Sequence, residues 1–534
     1  MRRPAAAAKP RRAREKSWPA PTRGWIANNN LAEPEQNGAF VLDNWFPETE
    51  TIRMFGGKLK YATIGNGTVP VASLFSYKTG NNEKLFAATA SAIYDISPVA
   101  IVDPETTPDA AVGGLSNGDW VGAQIQTTGG TFLRLVNGAD RSQLYNGTSF
   151  LTGGSYDIYD VDDPGQADIS DTFTHAWVYK KRLFFVQDNL NAYYLPVETI
   201  SGAAVKLPLG GVFKLGGSLL FGSTWSQDVG DGLQAFCVFV TTEGECAVFA
   251  GSDPSNPNDW VHVGTYRIGR PMGKKAWFQA GGDLAIATDV GLVPLSAART
   301  RDVAALAAAS ASWPVHSAWN ERVNNRGFAP WHCELWPTRQ MVLIGIPSNA
   351  DFAPEMPIAN AVTGAWCRRT NWDAKCIEIF KERAFIGSDD GKIFLLETTG
   401  ADDGVPYTAT CLLHADSLRD PASDKTALLC RAILRAREEP NDVIFVNPNF
   451  DDALPTAPDA PLVESGSIWG EAVWGEDLWA LDTGERTRFG EWRSVSAMGD
   501  VLAPGIRVTS GNLQPPRTDL IRFDMTFDKT DIVA

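Results

Sequence analysis

Acidic side chains are the first candidates for chemistry. Asp160, Asp162, Asp163 and Asp168 crowd one short stretch, and a cluster of carboxylate oxygens suits a hard cation such as calcium. The spacing lacks the terminal Glu of a calcium hand, so the stretch reads as an acidic loop. Five histidines, His175, His262, His316, His332 and His414, share no metal-ligand spacing and read as structural or surface residues. Cys237, Cys246, Cys333, Cys367, Cys376, Cys411 and Cys430 are an odd, scattered set without a CxxC pair. In a chain with a large core of its own they read as buried free thiols, which implies folding in a reducing cytoplasm. Gly-x-Ser-x-Gly, the Walker loop and His-Glu-x-x-His are all missing from the sequence. A glycosidase needs two opposed carboxylates; among 63 acids no spacing singles out such a pair. The sequence therefore assigns no catalytic residue, no cofactor and no metal site.

Three further features carry weaker signals. Ser388-Asp389-Asp390-Gly391-Lys392 resembles the sialidase aspartate box but lacks its tryptophan, and reads as a hairpin turn. Trp469, Trp474 and Trp479 recur at steps of five, which suits neither a helix face nor strict strand alternation. They read either as core anchors or as interface anchors, since Trp is a frequent hot-spot residue. Arg2, Arg3, Arg11, Arg12 and Arg14 belong to a basic arm over 1–24. That arm has eight cations against Glu15 alone, no apolar period, and is expected to be flexible when free. Its expected role is to dock on an acidic protein partner, in preference to touching DNA; the plain alternative is an idle solubilising tail.

These groups must be positioned by a chain of 534 residues with 44% hydrophobic and 21% charged residues. That composition supports large cores and excludes a disordered or collagen-like chain. No window approaches the ~20 apolar residues of a membrane helix, and no apolar run follows the basic N-terminus as a secretory leader would require. The formal net charge is −16, and since the arm is basic the remainder is more acidic still. Such a body repels nucleic acid unless the charge faces elsewhere. It suits either solubility or a surface past which a polyanion moves without sticking.

The elements are short strands. An apolar strand, a polar turn and a second apolar strand recur from Phe86, Phe132, Phe184, Val238, Leu284, Val342 and Phe385, at steps of 46, 52, 54, 46, 58 and 43 residues. A hairpin repeat of this length is the signature of propeller blades, each unable to cover both of its faces alone. The fold class is all-β: a β-propeller of five to seven blades over 61–400, with one or two short helices. One helix is expected from Asp302 through Ala309, ended by Trp313-Pro314. A β-rich platform is expected from first strands at 25–60 and a C-terminal domain at 401–534, with order beginning near Gly24-Trp25-Ile26.

Three segments extend the reading. GWIANNNLAEPEQNGAFVLDNWFPETETIRMFGGKLKYATIG at 24–65 resembles the start of the tail-nozzle proteins of short-tailed bacteriophages, also called tail tubular protein B or packaged-DNA stabilisation proteins. TGAWCRRTNWDAKCIEIFKERAFIGSDDGKIFLLETTG at 363–400 is similar to their last propeller blade, and EWRSVSAMGDVLAPGIRVTSGNLQPPRTDLIRFDMTFD at 491–528 to their C-terminal module. The arm at 1–23 has no place in that pattern. The resemblance implies a non-enzymatic virion protein, assembled in the host cytoplasm as a homo-hexameric ring beneath the portal-adaptor. Tail fibre or needle proteins would be partners, and DNA a passing cargo. The rival reading is a propeller-fold tail protein that binds or cleaves host-surface glycans. A bacterial surface propeller is disfavoured by the missing leader.

Overall fold

Runs of four to ten alternating or fully apolar residues, punctuated by Gly, Asn, Asp and Lys turns, make a chain of short strands. A computed structural model describes residues 13–28, 37–101, 103–162, 165, 168–228, 233–326, 330–348, 351–437, 440–460, 486–511 and 514–529. The chain divides into two units: 58–364 with 369–396, and 1–57 with 365–368 and 397–534.

The first unit is a β-propeller. Blade 1 begins with Ser73–Thr79, blade 2 with Val121–Thr127, blade 3 with Phe173–Tyr179 and blade 4 with Leu219–Asp228; blades 5, 6 and 7 begin with Trp277–Ala280, His332–Trp336 and Cys376–Phe380. Neighbours around the circuit pack against one another, and Cys376–Phe380 returns to Ser73–Thr79. Six of these blades are separate sheets; the set starting at His332 completes the circuit. The seven runs recurring in the sequence fall on the second strand of each blade: Asn82–Ala88, Gly130–Val136, Arg182–Gln187, Leu233–Thr241, Asp283–Thr288, Met341–Gly345 and Arg383–Gly387. Gly57–Thr63, from the start of the unit, pairs with Lys392–Thr399 of blade 7. The ring is thus closed by hydrogen bonds between strands far apart in the chain.

Packing explains why single hairpins suffice. Each blade covers its neighbour, as when Phe75, Tyr77 and Phe86 of blade 1 bury against Trp120, Leu133 and Tyr145 of blade 2. Trp177, Phe184 and Tyr194 of blade 3 likewise pack on Phe239 and Phe249 of blade 4. Such burial contributes about 1.5–3 kcal/mol per large side chain. Tight turns set the register. Lys180-Lys181 and Lys381-Glu382 occupy positive φ between paired strands, the geometry of two-residue hairpins.

The expected helix forms as Val303–Ala309, with the Asp302 carboxylate accepting from Val303 N at 2.7 Å. It ends at Ser310, before the expected Trp313-Pro314; those residues instead open a turn of 3-10 helix that leads into a further helix, His316–Arg326, and with the single turn Leu295–Ala298 the described residues hold three short helices where one or two were expected. That helix lacks a clear apolar period. It is held by tertiary contacts: the Trp319 indole donates to Thr288 O at 2.9 Å, and Glu355 accepts from Arg322 and Arg326 at 2.8 and 2.7 Å.

In the other unit, Lys425–Ala436 lies between Thr518–Lys529 and the short strands Arg486–Phe489, Arg493–Ser494 and Met498–Gly499. A further set of strands runs in the order Ala39–Asp43, Tyr407–Leu413, Leu502–Ser510, Asn441–Pro448. The expectation that order begins near Gly24 is corrected here. Arg14–Pro19 is a strand paired with Thr518–Lys529, Arg14 opposite Phe527. The reason is Trp18, the one aromatic residue in the arm: it is buried, and its indole donates to Asp416 at 3.1 Å. Ser17 donates to Asp524 at 2.6 Å and Lys16 pairs with Asp416 at 3.2 Å.

Candidate functional site

First strands of propeller blades line the axis, so polar residues in them face one another across the centre. Two adjoining cavities of about 290 and 480 Å³ occupy this position, both lined by Val121, Lys275 and His332. Together they form an axial channel. Its polar wall includes one residue from each of five first strands: Ser76, Gln124, Gln279, Glu334 and Glu378.

Glu334 and Glu378 occupy the third position of two successive first strands, HCELW and CIEIF. Both are half-buried. Enclosure by the channel wall pushes the Glu334 carboxyl up to about 8, the like charge of Glu378 adds to this, and Lys78 opposes it. Glu378 is pushed up to about 7 by burial, against the Ser76 hydroxyl, Lys78 and Lys275. Both carboxyls therefore keep their protons to a higher pH than a free glutamate does. Lys78 is itself fixed: its Nζ donates to Ile379 O at 3.1 Å, and its backbone exchanges hydrogen bonds of 2.9 and 2.7 Å with the Gln124 amide.

A second charged group lies where the first strands begin. Lys274 and Lys275 reach Asp119 at 2.9 and 3.3 Å. Burial pushes the Asp119 carboxyl up, but Lys275 and Lys274 outweigh it and hold the pKa at about 2. Lys274 also donates to the backbone oxygens of Asp119 and Thr174 at 3.0 and 3.3 Å, tying the lead-ins of blades 2, 3 and 5. His175 and His332 are buried beside these cations, and burial together with the lysines pushes both down to about 3. They are neutral. The Nδ1 of His332 accepts from Ile377 N at 3.0 Å, linking blades 6 and 7.

Glu334 and Glu378 thus stand on a polar axis within an apolar ring.

The other residues singled out by sequence lie elsewhere. Ser388 to Lys392 is the turn joining two strands of blade 7, with Lys392 on Asp390 at 2.5 Å. Asp168 accepts from Ile158 N, Ser170 N and the Ser170 hydroxyl, and Asp160 accepts from Asp162 N and Tyr193, so both brace the loop of blade 3; Asp163 lies outside the described residues. Among the described residues no three His, Cys, Asp or Glu converge in a metal-binding group. All seven cysteines are free and buried. Arg14 is exposed on its strand. Arg2, Arg3, Arg11, Arg12, Trp469, Trp474 and Trp479 lie outside the described residues. Sequence reasoning missed the channel groups. The signal was a single Glu at the centre of two apolar strands in successive repeats, and a Lys-Lys pair just before a third.

The circuit of blades defines the class: a β-propeller protein with a separate β-rich unit. No family model matches the chain and no curated protein matches it. Solved structures do. The extracellular domain of BT4673 from B. thetaiotaomicron is similar at 8% identity over 64% of this chain, with a TM-score of 0.40; the match takes in only 40% of that domain. The WD40 propeller domain of Doa1 is 8% identical over 64% of this chain and 97% of its own length, with a TM-score of 0.36. U3-55K is 10% identical over 62% of this chain and 95% of its own length, with a TM-score of 0.34. The assignment of the fold rests on the chain's own circuit of sheets.

Proposed function

We propose that this chain is a structural subunit of the tail nozzle of a short-tailed bacteriophage. The observation that carries the reading is the ordered resemblance of 24–65, 363–400 and 491–528 to tail-nozzle proteins, spread over a chain whose centre is a propeller. The organisation of the chain is compatible with it. Residues 1–57 and 397–534 belong to one unit while the intervening chain builds the other, an economical way to combine an assembly module with a spacer domain.

In this reading the work is mechanical and electrostatic, without catalysis. Copies form a ring below the portal-adaptor, probed at the far side by tail fibre or needle proteins, and the ring extends the DNA channel of the virion. Lys and Arg would neutralise phosphates and hold the genome, whereas an acidic surface lets it pass; a net charge of −16 suits that task. DNA is cargo rather than ligand. The test is immunogold labelling and cryo-electron microscopy of the phage that carries this gene. A ring of this chain at the tail supports the reading, and particles without it, or with a single copy, refute it.

A further inference from the structure

The two histidines of the axial cavities each hold a donor that the fold itself does not use. His332 lines both cavities and His175 the larger one; His332 is 8% exposed and His175 2%. Burial and the nearby lysines keep both rings neutral, so each carries a single ring proton. The backbone decides where it sits. His332 Nδ1 accepts from Ile377 N at 3.0 Å, and His175 Nδ1 faces Gly222 N in a longer contact of 3.5 Å. A neutral ring whose Nδ1 accepts bears its proton on Nε2. Neither Nε2 has a hydrogen-bond partner among the described residues, and a buried donor in that position calls for one.

Lys275 stands with them. It lines both cavities, bridges to His332, and has Asp119 at 3.3 Å as its ion-pair partner. Lys274 is spent on Asp119 and on two backbone oxygens. Two lysines against one carboxylate leave this end positive, and two N–H donors beside an ammonium suit a carboxylate. The opposite sign lies two residues along the same strand. Glu334 shares the face of His332 in HCELW, ~7 Å further on, and lines the larger cavity. Its half-buried carboxyl makes no hydrogen bond or ion pair among the described residues. Such a group takes up a proton or a cation. Gln279, on the adjoining strand, donates Nε2 to Thr224 O at 3.0 Å, which leaves its oxygen as an acceptor beside Glu334. Val121 and Trp277 supply apolar wall, and about 480 Å³ is the size of a small-molecule site.

We propose that the larger axial cavity binds a small zwitterion of the ω-amino acid class, its carboxylate on His332, His175 and Lys275, its ammonium on Glu334, and its aliphatic spacer against Val121 and Trp277. A ligand that carries both charges matches each end of the cavity, whereas a plain acid or a plain amine matches one. The ligand's ammonium takes the place of the proton that Glu334 otherwise keeps, and that proton passes to the buffer. The site lies within one propeller. It goes beyond the nozzle reading and neither needs nor tests it.

Titration calorimetry of the full chain at pH 8 tests this with three probes of similar length: 6-aminohexanoate, hexanoate and hexylamine. 6-Aminohexanoate is expected to bind about tenfold or more tightly than either of the others. Glu334→Gln should remove its advantage over hexanoate, and Lys275→Gln its advantage over hexylamine. Should Lys275→Gln unfold by circular dichroism, Glu334→Gln decides alone, since it keeps the shape of the side chain. No binding of any probe up to ~10 mM, hexanoate or hexylamine bound as tightly as 6-aminohexanoate, or unchanged discrimination in either folded variant overturns the proposal.

Discussion

Replacing both channel glutamates, Glu334→Gln with Glu378→Gln, should make the protein more stable at alkaline pH and change little at pH 5. In the unfolded chain each carboxyl titrates near its ordinary 4.5, whereas the native channel raises them to about 8 and about 7. Between those limits the native state binds more protons than the unfolded one, so stability falls as pH rises through the window. The rise at Glu334 alone corresponds to ~5 kcal/mol at the limit of 1.36 kcal/mol per pH unit. Both side chains are only half-buried, which screens the effect, and the repulsion belongs to the pair and counts once. About 1–3 kcal/mol is left for the double variant at pH 9. Urea unfolding at pH 5 and pH 9, read by tryptophan fluorescence, measures it, and the global charge of the protein cancels in the comparison with wild type. Equal stabilities at pH 9, or a gain of the same size at pH 5, would refute the reasoning.

The remaining expectations concern other sites. Asp119→Asn leaves Lys274 and Lys275 facing each other and should cost about 1 kcal/mol at neutral pH, since the carboxylate is partly exposed; because its native pKa is lowered to about 2, that contribution is present above pH ~4 and disappears toward pH 2, which acid-side unfolding curves of variant and wild type will show by converging. The seven buried thiols should stay unreactive to a thiol reagent at pH 8 in the native protein and all react in denaturant, because burial both blocks access and raises the thiol pKa; fast labelling of any one in the native state would contradict its placement. Gly24→Ala should destabilise by at least ~2 kcal/mol, since Gly24 sits at φ +77° and a Cβ would meet Trp366 O at 2.3 Å; thermal unfolding tests this, and an unchanged midpoint would mean that the strand about Trp366 moves aside.

The sequence by itself determined the repeat, because hairpin periodicity and turn chemistry are local. The seven runs starting at Phe86 through Phe385 are each the second strand of a blade, and Asp302 marked a helix through a cap that acts over one residue. Local signals stop there. The strand Arg14–Pro19 was hidden within a basic arm because its order depends on Trp18 meeting Asp416, some 400 residues away. Helix His316–Arg326 has no apolar period to read; Thr288, which accepts from its Trp319, and Glu355 hold it from outside. The channel was the least legible feature. A lone Glu in HCELW or CIEIF looks like an ordinary polar break in a strand. Only the closure of the ring brings Glu334 and Glu378 near each other and near Lys78, where desolvation and mutual charge shift their titration. Burial and Coulomb interaction depend on distance in space, and distance in space between residues this far apart in the chain is set by tertiary structure alone.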